Sequence, residues 1–406
     1  MRRIGSEGYM MDGKNIVLGI AGGIAAYKAA ELTRELVKRG CAVTVMMTLN
    51  AAKFITPLTL QTLSGNPVYT DTFSLTGDWR IGHISLAERA DIIVIAPATA
   101  NIIGKIASGI ADDLLSTTVM AAHVPVLICP AMNANMYRNP FVAENMKRCA
   151  DRGFFMMNAD IGELACRTEG PGRLPPVGEI IEEMEAVITV KDLSGVRILV
   201  TAGPTREAID PVRFISNHSS GKMGHALAKA ARMRGAEVTL ICGATAQAAP
   251  GGVRYVKVTS AQEMRDAVMS SLDAVDVVIK AAAVADYRPS KHETSKIKKK
   301  DETLTITLVR NPDIIAEVGK VKGSRILVGF AMETEDLEKN AREKMMAKNM
   351  DFIVANDLTR EGAGFQHDTN VVKILDRNGA IEELPLMEKS AVAHRILDRV
   401  RDIRNG

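Results

Sequence analysis

The sequence predicts an α/β protein with two doubly wound, Rossmann-like domains, because one order of local patterns occurs twice within its 406 residues. In each half an apolar segment runs into a glycine turn, a helical pattern follows and stops at a glycine, and a second apolar segment begins. Strand, turn, helix and strand in this order make a parallel βαβ unit. The length is also sufficient for two domains with separate cores.

The first copy predicts a strand over residues 15–20, a turn at Gly22-Gly23, a helix over 24–39 and a strand over 42–48. The second copy predicts the same elements at 196–201, Gly203-Pro204, 222–234 and 237–242. Shorter apolar segments predict further buried strands at 91–96, 124–129, 276–281, 325–330 and 351–355.

A segment rich in Pro and Gly at 170–178 and a helical pattern at 179–190 separate the two halves. We therefore expect a first domain over residues 14–191 and a second over 192–406. Residues 1–13 are too polar for a signal peptide, and we expect a flexible leader there, with Met11 an alternative start to Met1.

Composition excludes several classes of protein. A net charge of +3 does not predict nucleic-acid binding, and no apolar run approaches the roughly 18 residues of a membrane span. The five cysteines are odd in number and contain no CxxC pair, which favours a reducing, cytoplasmic setting over a disulfide framework or a zinc cluster. We expect small-molecule partners, without nucleic acid or membrane.

Two common nucleotide-binding motifs are absent from the sequence. Neither half contains GxGxxG, and the second strands end at Thr48 and at Cys242-Gly243, where a nicotinamide dinucleotide needs an acidic ribose partner. Gly221-Lys222 is not a Walker A loop, because Met223 stands in place of Ser or Thr. A mononucleotide held by its phosphate at a helix N-terminus remains possible.

In the first half, glycines and other small residues follow predicted strands at 22–25 and 97–101, where ligands of open α/β sheets bind. Asn133 follows another strand and is a candidate ligand residue or a helix cap. Cys166 lies in a polar, glycine-bounded loop over 162–173, which argues against burial, and His83 precedes the strand at 91–96. Taken singly, a histidine or cysteine is more often structural.

The segments GGIAAYK, GHISLAERAD, PATANIIGKIASGIADDLL, PAMNANM and GELACRTEGPGR resemble the flavin-dependent cysteine decarboxylases, in particular those acting on phosphopantothenoylcysteine. The resemblance implies a flavodoxin-like domain with FMN, in which His83 is the base, Asn133 holds the substrate carboxylate and Cys166 donates a proton. The implied FMN contacts are Gly22, Gly23, Ile24, Ala25, Thr48, Thr99, Ala100 and Asn101.

In the second half, residues 198–224 lead from a strand through a polar segment to Ser219-Ser220-Gly221-Lys222, which suits a loop that binds an anion. Lys296, Lys298 and Lys300 alternate, so an extended segment would present all three on one side. Lys344 and Lys348 are four residues apart in a helical pattern over 335–349. Either lysine group alone also fits a solvated surface.

TAGPTREAIDPVRFISNHSSGKMG, together with AAAVADYRP, KIKKK, NPDII and GFAMET, resembles the CTP-dependent phosphopantothenate–cysteine ligases, which form an acyl cytidylate. The resemblance implies that Asn217 and Lys296 are catalytic and that magnesium accompanies CTP, with unknown protein ligands. The implied CTP contacts are Asp286, Lys296, Pro312, Asp313, Ile314, Ile315, Phe330, Lys344 and Lys348.

A decarboxylase half followed by a ligase half resembles the fused bifunctional enzymes of coenzyme A biosynthesis. That resemblance implies a homo-oligomer, with trimeric flavin domains and dimeric ligase domains. We weigh three alternatives: a flavin prenyltransferase-like protein, a regulatory flavoprotein related to the decarboxylases, and a nucleic-acid-binding protein that uses the KIKKK segment.

Overall fold

The structure is a computed structural model that describes residues 11–72, 82–163, 169–298, 303–333, 337–357 and 367–406. The chain divides into two units, Met1–Thr189 and Val190–Gly406. Among the described residues, no helix is long and apolar enough to cross a membrane.

The first unit is a parallel sheet in the order β3-β2-β1-β4-β5-β6, followed by an antiparallel hairpin of β7 and β8. This order is that of nucleotide-binding Rossmann sheets rather than the flavodoxin order, and the predicted doubly wound class is confirmed. The elements are β1 (Asn15–Ile20), α1 (Lys28–Lys38), β2 (Ala42–Met47), α2 (Pro57–Ser64), β3 (Val68–Tyr69), α3 (Gly82–Arg89), β4 (Ile92–Ala98), α4 (Ala100–Ser108), α5 (Leu114–Met120), β5 (Val126–Pro130), α6 (Ala134–Arg138), α7 (Pro140–Asp151), β6 (Phe155–Met156), β7 (Asp160–Glu163), β8 (Glu169–Arg173) and α8 (Val177–Ile188).

The central strands of this sheet are continuous apolar runs because helices cover both faces. Every residue of β4 is buried, as are all residues of β1 after Asn15. The side chains of β1 alternate between two cores, with Leu18 on one face and Val17 on the other. The helix start predicted at residue 24 is a 3₁₀ turn, Ile24–Tyr27, which continues directly into α1.

The described part of the expected leader is packed rather than flexible. Met11 is fully buried in the first core, its carbonyl accepts a hydrogen bond from the Cys41 thiol, and the Gly13 amide donates to the Gly40 carbonyl at 3.1 Å. Residues 11–13 are therefore part of the fold, and the rest of the expected leader lies outside the described residues.

The second unit repeats the parallel arrangement in the order β13-β12-β9-β14-β17-β18 and extends it with antiparallel β19 and β20. The short strands β10 and β11 form one hairpin, and β15 pairs with β16. The elements are β9 (Arg197–Ala202), β10 (Arg206–Ala208), β11 (Phe214–Ser216), α9 (Lys222–Met233), β12 (Glu237–Cys242), β13 (Arg254–Lys257), α10 (Ala261–Ser271), β14 (Val277–Lys280), β15 (Tyr287–Pro289), β16 (Leu308–Arg310), α11 (Ile314–Val321), β17 (Ile326–Glu333), α12 (Leu337–Ala347), β18 (Phe352–Asp357), β19 (Thr369–Asp376), β20 (Ile381–Glu388) and α13 (Lys389–Asn405).

Each of the two sheets has an equivalent hydrogen bond at the amino ends of its central strands. In the first unit, Asp91 accepts a hydrogen bond from the Asn15 amide at 2.8 Å. In the second unit, Asp276 accepts one from the Arg197 amide at 2.9 Å and also pairs with the Arg197 guanidinium. An aspartate just before one strand thus fixes the start of its neighbour in each unit, at the end opposite the ligand-binding edge of an α/β sheet.

Candidate functional sites

In the first unit, three strand ends meet beside the glycine turn. The Ala21 amide donates to the Pro97 carbonyl at 3.1 Å, and the Thr48 amide donates to the Ile20 carbonyl at 3.0 Å. A side chain at Gly22 would place a Cβ 2.4 Å from the Asn50 Cβ, so the turn requires a glycine there. The implied FMN contacts at the ends of β1, β2 and β4 consequently lie at one edge of the sheet.

Two helices begin at this edge, directly after the neighbouring strands β1 and β4. The 3₁₀ turn begins after Gly23, and α4 begins after Thr99, whose hydroxyl accepts a hydrogen bond from the Ile102 amide at 3.5 Å. A Cβ at Gly23 would lie 3.4 Å from the Thr99 methyl carbon, so the two starts are adjacent. Neither of these described helices has an acidic residue in its first turn. Adjacent helix N-termini of this kind suit a phosphate group.

Asn133 lies at the next strand end and caps α6. Its Oδ1 accepts a hydrogen bond from the Asn135 amide at 2.8 Å, while the Ala131 amide donates to the Ala98 carbonyl at 2.9 Å. The structure thus supports the helix-cap interpretation of Asn133 and also places the residue next to the end of β4. Amide nitrogens are hydrogen-bond donors, which suits a substrate carboxylate.

The hairpin of β7 and β8 flanks the loop that contains Cys166. The Met132 amide donates to the Gly172 carbonyl at 2.9 Å, which joins the hairpin to the segment before Asn133. Cys166 itself lies outside the described residues, as does the side chain of His83, whose backbone belongs to the first turn of α3.

In the second unit, a cleft of about 660 Å³ lies at the carboxyl ends of the parallel strands. Six basic and two acidic side chains are among the described residues that line it, which makes it strongly electropositive. The lining includes nine residues expected from the sequence: Asn217, Asp286, Pro312, Asp313, Ile314, Ile315, Phe330, Lys344 and Lys348.

The polar loop expected to bind an anion leads into α9 beside this cleft. Gly221 adopts a φ of 76° at the N-cap of α9, and the Asn217 Nδ2 donates to the Ala283 carbonyl at 2.9 Å. A Cβ at Gly224 would lie 2.4 Å from the Ala202 Cβ, so glycine allows α9 to approach β9 closely. These contacts bring the loop to the carboxyl ends of the neighbouring strands β9 and β14.

Asp313 and Lys348 form an ion pair at 2.7 Å inside the cleft. Asp313 also caps α11 by accepting a hydrogen bond from the Ala316 amide at 3.2 Å. Burial opposes ionisation, but the hydrogen bonds from Lys348 and Ala316 hold the pKa of Asp313 below its usual value. Lys348 follows the end of α12, and its amide still donates to the Lys344 carbonyl at 3.1 Å, so the two lysines keep helical spacing.

Lys296 is exposed and is not among the residues that line the cleft. The adjoining main chain is held by a buried acid, because the Asp210 carboxylate accepts hydrogen bonds from the Ile297 amide at 3.2 Å and from Arg213. Residues 296–298 belong to no strand, and the expectation that Lys296 and Lys298 face one side of an extended segment stays a prediction. Lys300 lies outside the described residues.

The cleft also contains functional candidates that the sequence analysis missed. Lys280 is the last residue of β14, and burial lowers its pKa to about 8, with the positive charge of Lys344 acting in the same direction. In the sequence, the position of Lys280 at the end of an apolar segment was a signal that could have identified it. The other missed basic and amide side chains are Arg310, Asn311, Asn356, Asn370 and Lys389, whereas Lys222 belongs to the loop expected to bind an anion.

Within the described part of the chain, no group of three or more His, Cys, Asp or Glu side chains could hold a metal ion. The four described cysteines, Cys41, Cys129, Cys149 and Cys242, are all buried and free.

Each of the two units matches the model of a known protein family. The Flavoprotein family model matches residues 4–189, and the model for the DNA/pantothenate metabolism flavoprotein C-terminal domain matches residues 193–403. The chain is thus a flavoprotein domain followed by a pantothenate-metabolism domain.

Curated relatives named coenzyme A biosynthesis bifunctional protein CoaBC are similar along nearly the whole chain. The Bacillus subtilis protein is 49% identical, and the alignment covers 96% of this chain and 97% of the relative. The Vibrio cholerae and Escherichia coli proteins are 47% and 45% identical, each over 96% of this chain and 98% and 97% of their own lengths. The chain belongs to this family of bifunctional coenzyme A biosynthesis enzymes. It is a phosphopantothenate–cysteine ligase and a phosphopantothenoylcysteine decarboxylase, and the flavin prenyltransferase-like and regulatory flavoprotein alternatives are not favoured.

Proposed function

We propose that the cleft of the second unit binds CTP and 4'-phosphopantothenate, activates the carboxylate as an acyl cytidylate with release of pyrophosphate, and lets the cysteine amine displace CMP. The observation that carries this assignment is the concentration of six basic side chains in one cleft at the carboxyl edge of the sheet. Preorganised cations stabilise the charge that develops on a leaving pyrophosphate without reorganising at the moment of reaction.

Lys344 and Lys348 bind phosphate oxygens in this proposal, and the ion pair with Asp313 fixes the position of the Lys348 ammonium. The half-buried Phe330 and the buried Ile315 provide an apolar surface for the base. Asn217 holds the carboxylate or the acyl phosphate, and Lys296 reaches the phosphates from the segment next to Asp210. Magnesium enters with the nucleotide, with phosphate and water as its main ligands, and Asp286 is a lining carboxylate that could assist.

In the first unit we assign the flavin to the edge formed by β1, β2 and β4, as FMN. The adjacent N-termini at Gly23 and Thr99 fit its phosphate, and the small residues around Pro97 allow a planar ring to approach the main chain. When bound, the flavin supplies oxidation of the substrate thiol and later return of a hydride.

The residues of the chain do the remaining work of decarboxylation. Asn133 orients the cysteinyl carboxylate with a neutral amide, which stabilises the carboxylate ground state less than an arginine would. His83 removes a proton from the substrate, and Cys166 donates a proton to the product. Gly172 holds the hairpin that leads to Cys166 against Met132.

The assembly in this proposal is a homo-oligomer with trimers of the flavin domain and dimers of the ligase domain. The partners are the small-molecule substrates, and the cytoplasm remains the predicted location.

Each half of the proposal has its own test with the purified full-length chain. The protein should be yellow, with FMN released on denaturation. It should release pyrophosphate from CTP only when phosphopantothenate is present, and continuous release should also require cysteine. A parallel assay with ATP measures the nucleotide preference. A colourless protein that takes up no FMN contradicts the first assignment, and absence of pyrophosphate release with either nucleotide contradicts the second.

A further inference from the structure

Lys222 and Lys389 line the ligase cleft from two helices that do not contain Lys344 or Lys348. Lys222 is the first residue of α9 and Lys389 the first residue of α13, and these two helices pack against each other. Both lysines therefore lie where a helix presents the positive end of its dipole.

Asp368 and His367 fix the positions of both lysines. The Lys222 Nζ lies 2.7 Å from the Asp368 Oδ1, while the Lys389 amide donates to the Asp368 carbonyl at 2.9 Å. The Lys389 Nζ donates to the His367 carbonyl at 2.5 Å, and the residue is only 7% exposed. A lysine held this rigidly at a cleft wall loses little further entropy when a ligand binds to it.

The positive charges of Lys222 and Lys389 repel each other. Burial lowers the pKa of Lys389 to about 8, the charge of Lys222 acts in the same direction, and Asp368 opposes both. Neither α9 nor α13 has an acidic residue in its described first turn, and the Glu388 side chain that precedes Lys389 accepts a hydrogen bond from the Ser390 hydroxyl. Two cations at two positive helix ends would be stabilised by a bound anion.

Two buried amides extend the same wall of the cleft. Asn370 follows Asp368 by two residues, and its Nδ2 donates to the Asn356 Oδ1 at 3.2 Å, with Asn370 only 1% and Asn356 only 6% exposed. Buried amides in a hydrogen-bonded chain form a rigid polar surface.

We propose that Lys389, together with Lys222, forms a second anion subsite of the ligase cleft, and that this subsite holds a phosphate group of one substrate while Lys344 and Lys348 hold another. The inference rests on the proposed function, which brings two phosphorylated substrates into this cleft. The shared chemistry is a phosphate, supplied either by the polyphosphate of CTP or by the phosphate monoester of phosphopantothenate.

The test is steady-state kinetics of the full-length Lys389→Met variant, which keeps the length of the side chain and removes its charge. We expect KM to rise at least about tenfold for the substrate whose phosphate the subsite holds, with kcat at saturation within about threefold of wild type. A rise for CTP alone identifies the polyphosphate, and a rise for phosphopantothenate alone identifies the monoester. Lys389→Arg should restore most of the affinity.

Lys229→Met is the matched control, because Lys229 is a half-buried lysine on α9 that does not line the cleft. If Lys389→Met does not fold, Lys222→Met receives the same measurements. The inference is overturned if both KM values of the folded variant stay within twofold of wild type, or if kcat falls while both are unchanged. Failure of the wild type to release pyrophosphate from CTP would instead refute the proposed function, which separates the two failures.

Discussion

Gly172 approaches the main chain of Met132 so closely that a Cβ on Gly172 would lie 2.2 Å from the Met132 carbonyl oxygen. The φ of Gly172 is 139°, which side-chain-bearing residues rarely adopt, and its carbonyl accepts the Met132 amide at 2.9 Å. Gly172 therefore fixes the hairpin before and after the Cys166 loop against the strand end that carries Asn133.

Gly172→Ala should impair decarboxylation selectively, because the hairpin must move away from Met132 to accommodate the methyl group. We expect a loss of at least about tenfold in decarboxylase kcat/KM, since a misplacement of about 1 Å at a site can cost 100-fold. The measurement is decarboxylation of supplied phosphopantothenoylcysteine, with ligation assayed in parallel. Gly178→Ala is the control, because nothing lies within 4 Å of a Cβ at that position. Equal activity of both variants would refute the role of this contact.

Cys166→Ser should separate the two halves of the decarboxylase reaction. A hydroxyl is a far weaker proton donor than a thiol, so carbon dioxide release should stay within a few-fold of wild type while formation of phosphopantetheine falls at least about 100-fold. Both products are measured in the same reaction. Cys149→Ala, which removes a fully buried thiol, should leave their ratio unchanged. Unchanged conversion to phosphopantetheine by Cys166→Ser would refute the proton-donor assignment.

Lys296→Gln should abolish cysteine ligation and leave decarboxylation of supplied phosphopantothenoylcysteine intact. We expect a loss of about 100-fold to 1,000-fold in ligase kcat, the range seen when one group that stabilises developing charge is removed. Pyrophosphate release measures the effect. Lys298→Gln serves as the control, since Lys298 is an exposed lysine of the same segment. Normal ligation by Lys296→Gln contradicts the assignment, and loss of both activities indicates misfolding instead.

The affinity for CTP should fall as the pH rises above about 8. Burial lowers the pKa of both Lys280 and Lys389 to about 8, so both are largely protonated at pH 7 and lose their charge between pH 8 and 9. Lys344 and Lys348 also lower the pKa of Lys280, whereas Asp313 and Asp286 raise it. CTP favours the protonated lysines, so above pH 8 each deprotonated lysine must take up a proton when CTP binds. This coupling weakens the affinity by up to about tenfold per pH unit for each lysine.

Calorimetric titration of CTP without cysteine checks this dependence, because no substrate thiol or amine then titrates. Lys280→Met should bind CTP more weakly at pH 7 and show a shallower alkaline decline. Lys373→Met should behave as wild type, since Lys373 pairs with Glu338 and Glu383 and does not line the cleft. An affinity that stays constant from pH 7 to 9.5 would contradict the prediction.

The buried strands were predictable because parallel strands covered on both faces appear in sequence as uninterrupted apolar runs. The five short apolar segments correspond to β4, β5, β14, β17 and β18. The hairpin of β19 and β20 was not predicted, since β20 contains charged residues such as Glu382 and is buried at few positions. Strands at the edge of a sheet lack the continuous apolar pattern of central ones.

The sequence located most of the ligase cleft, because its motifs follow strands whose carboxyl ends meet. It did not locate Lys280 or Lys389, because most lysines at a strand end or a helix start are solvated surface residues, and the apolar strand before Lys280 is only a weak signal of burial. Their burial depends on elements far away in the chain. The position of Lys296 also needed the structure, because the hydrogen bond from the Ile297 amide to the Asp210 carboxylate joins residues that are far apart in the chain.

Asp91 and Asp276 perform equivalent tasks in the two units, each anchoring the first strand of its sheet from the end remote from chemistry. In each sheet these contacts therefore lie away from the edge where substrates bind. Loops at the carboxyl ends of the strands can therefore change without disturbing the aspartate contacts at the amino ends. The same scaffold can in this way serve flavin chemistry in one unit and carboxylate activation in the other.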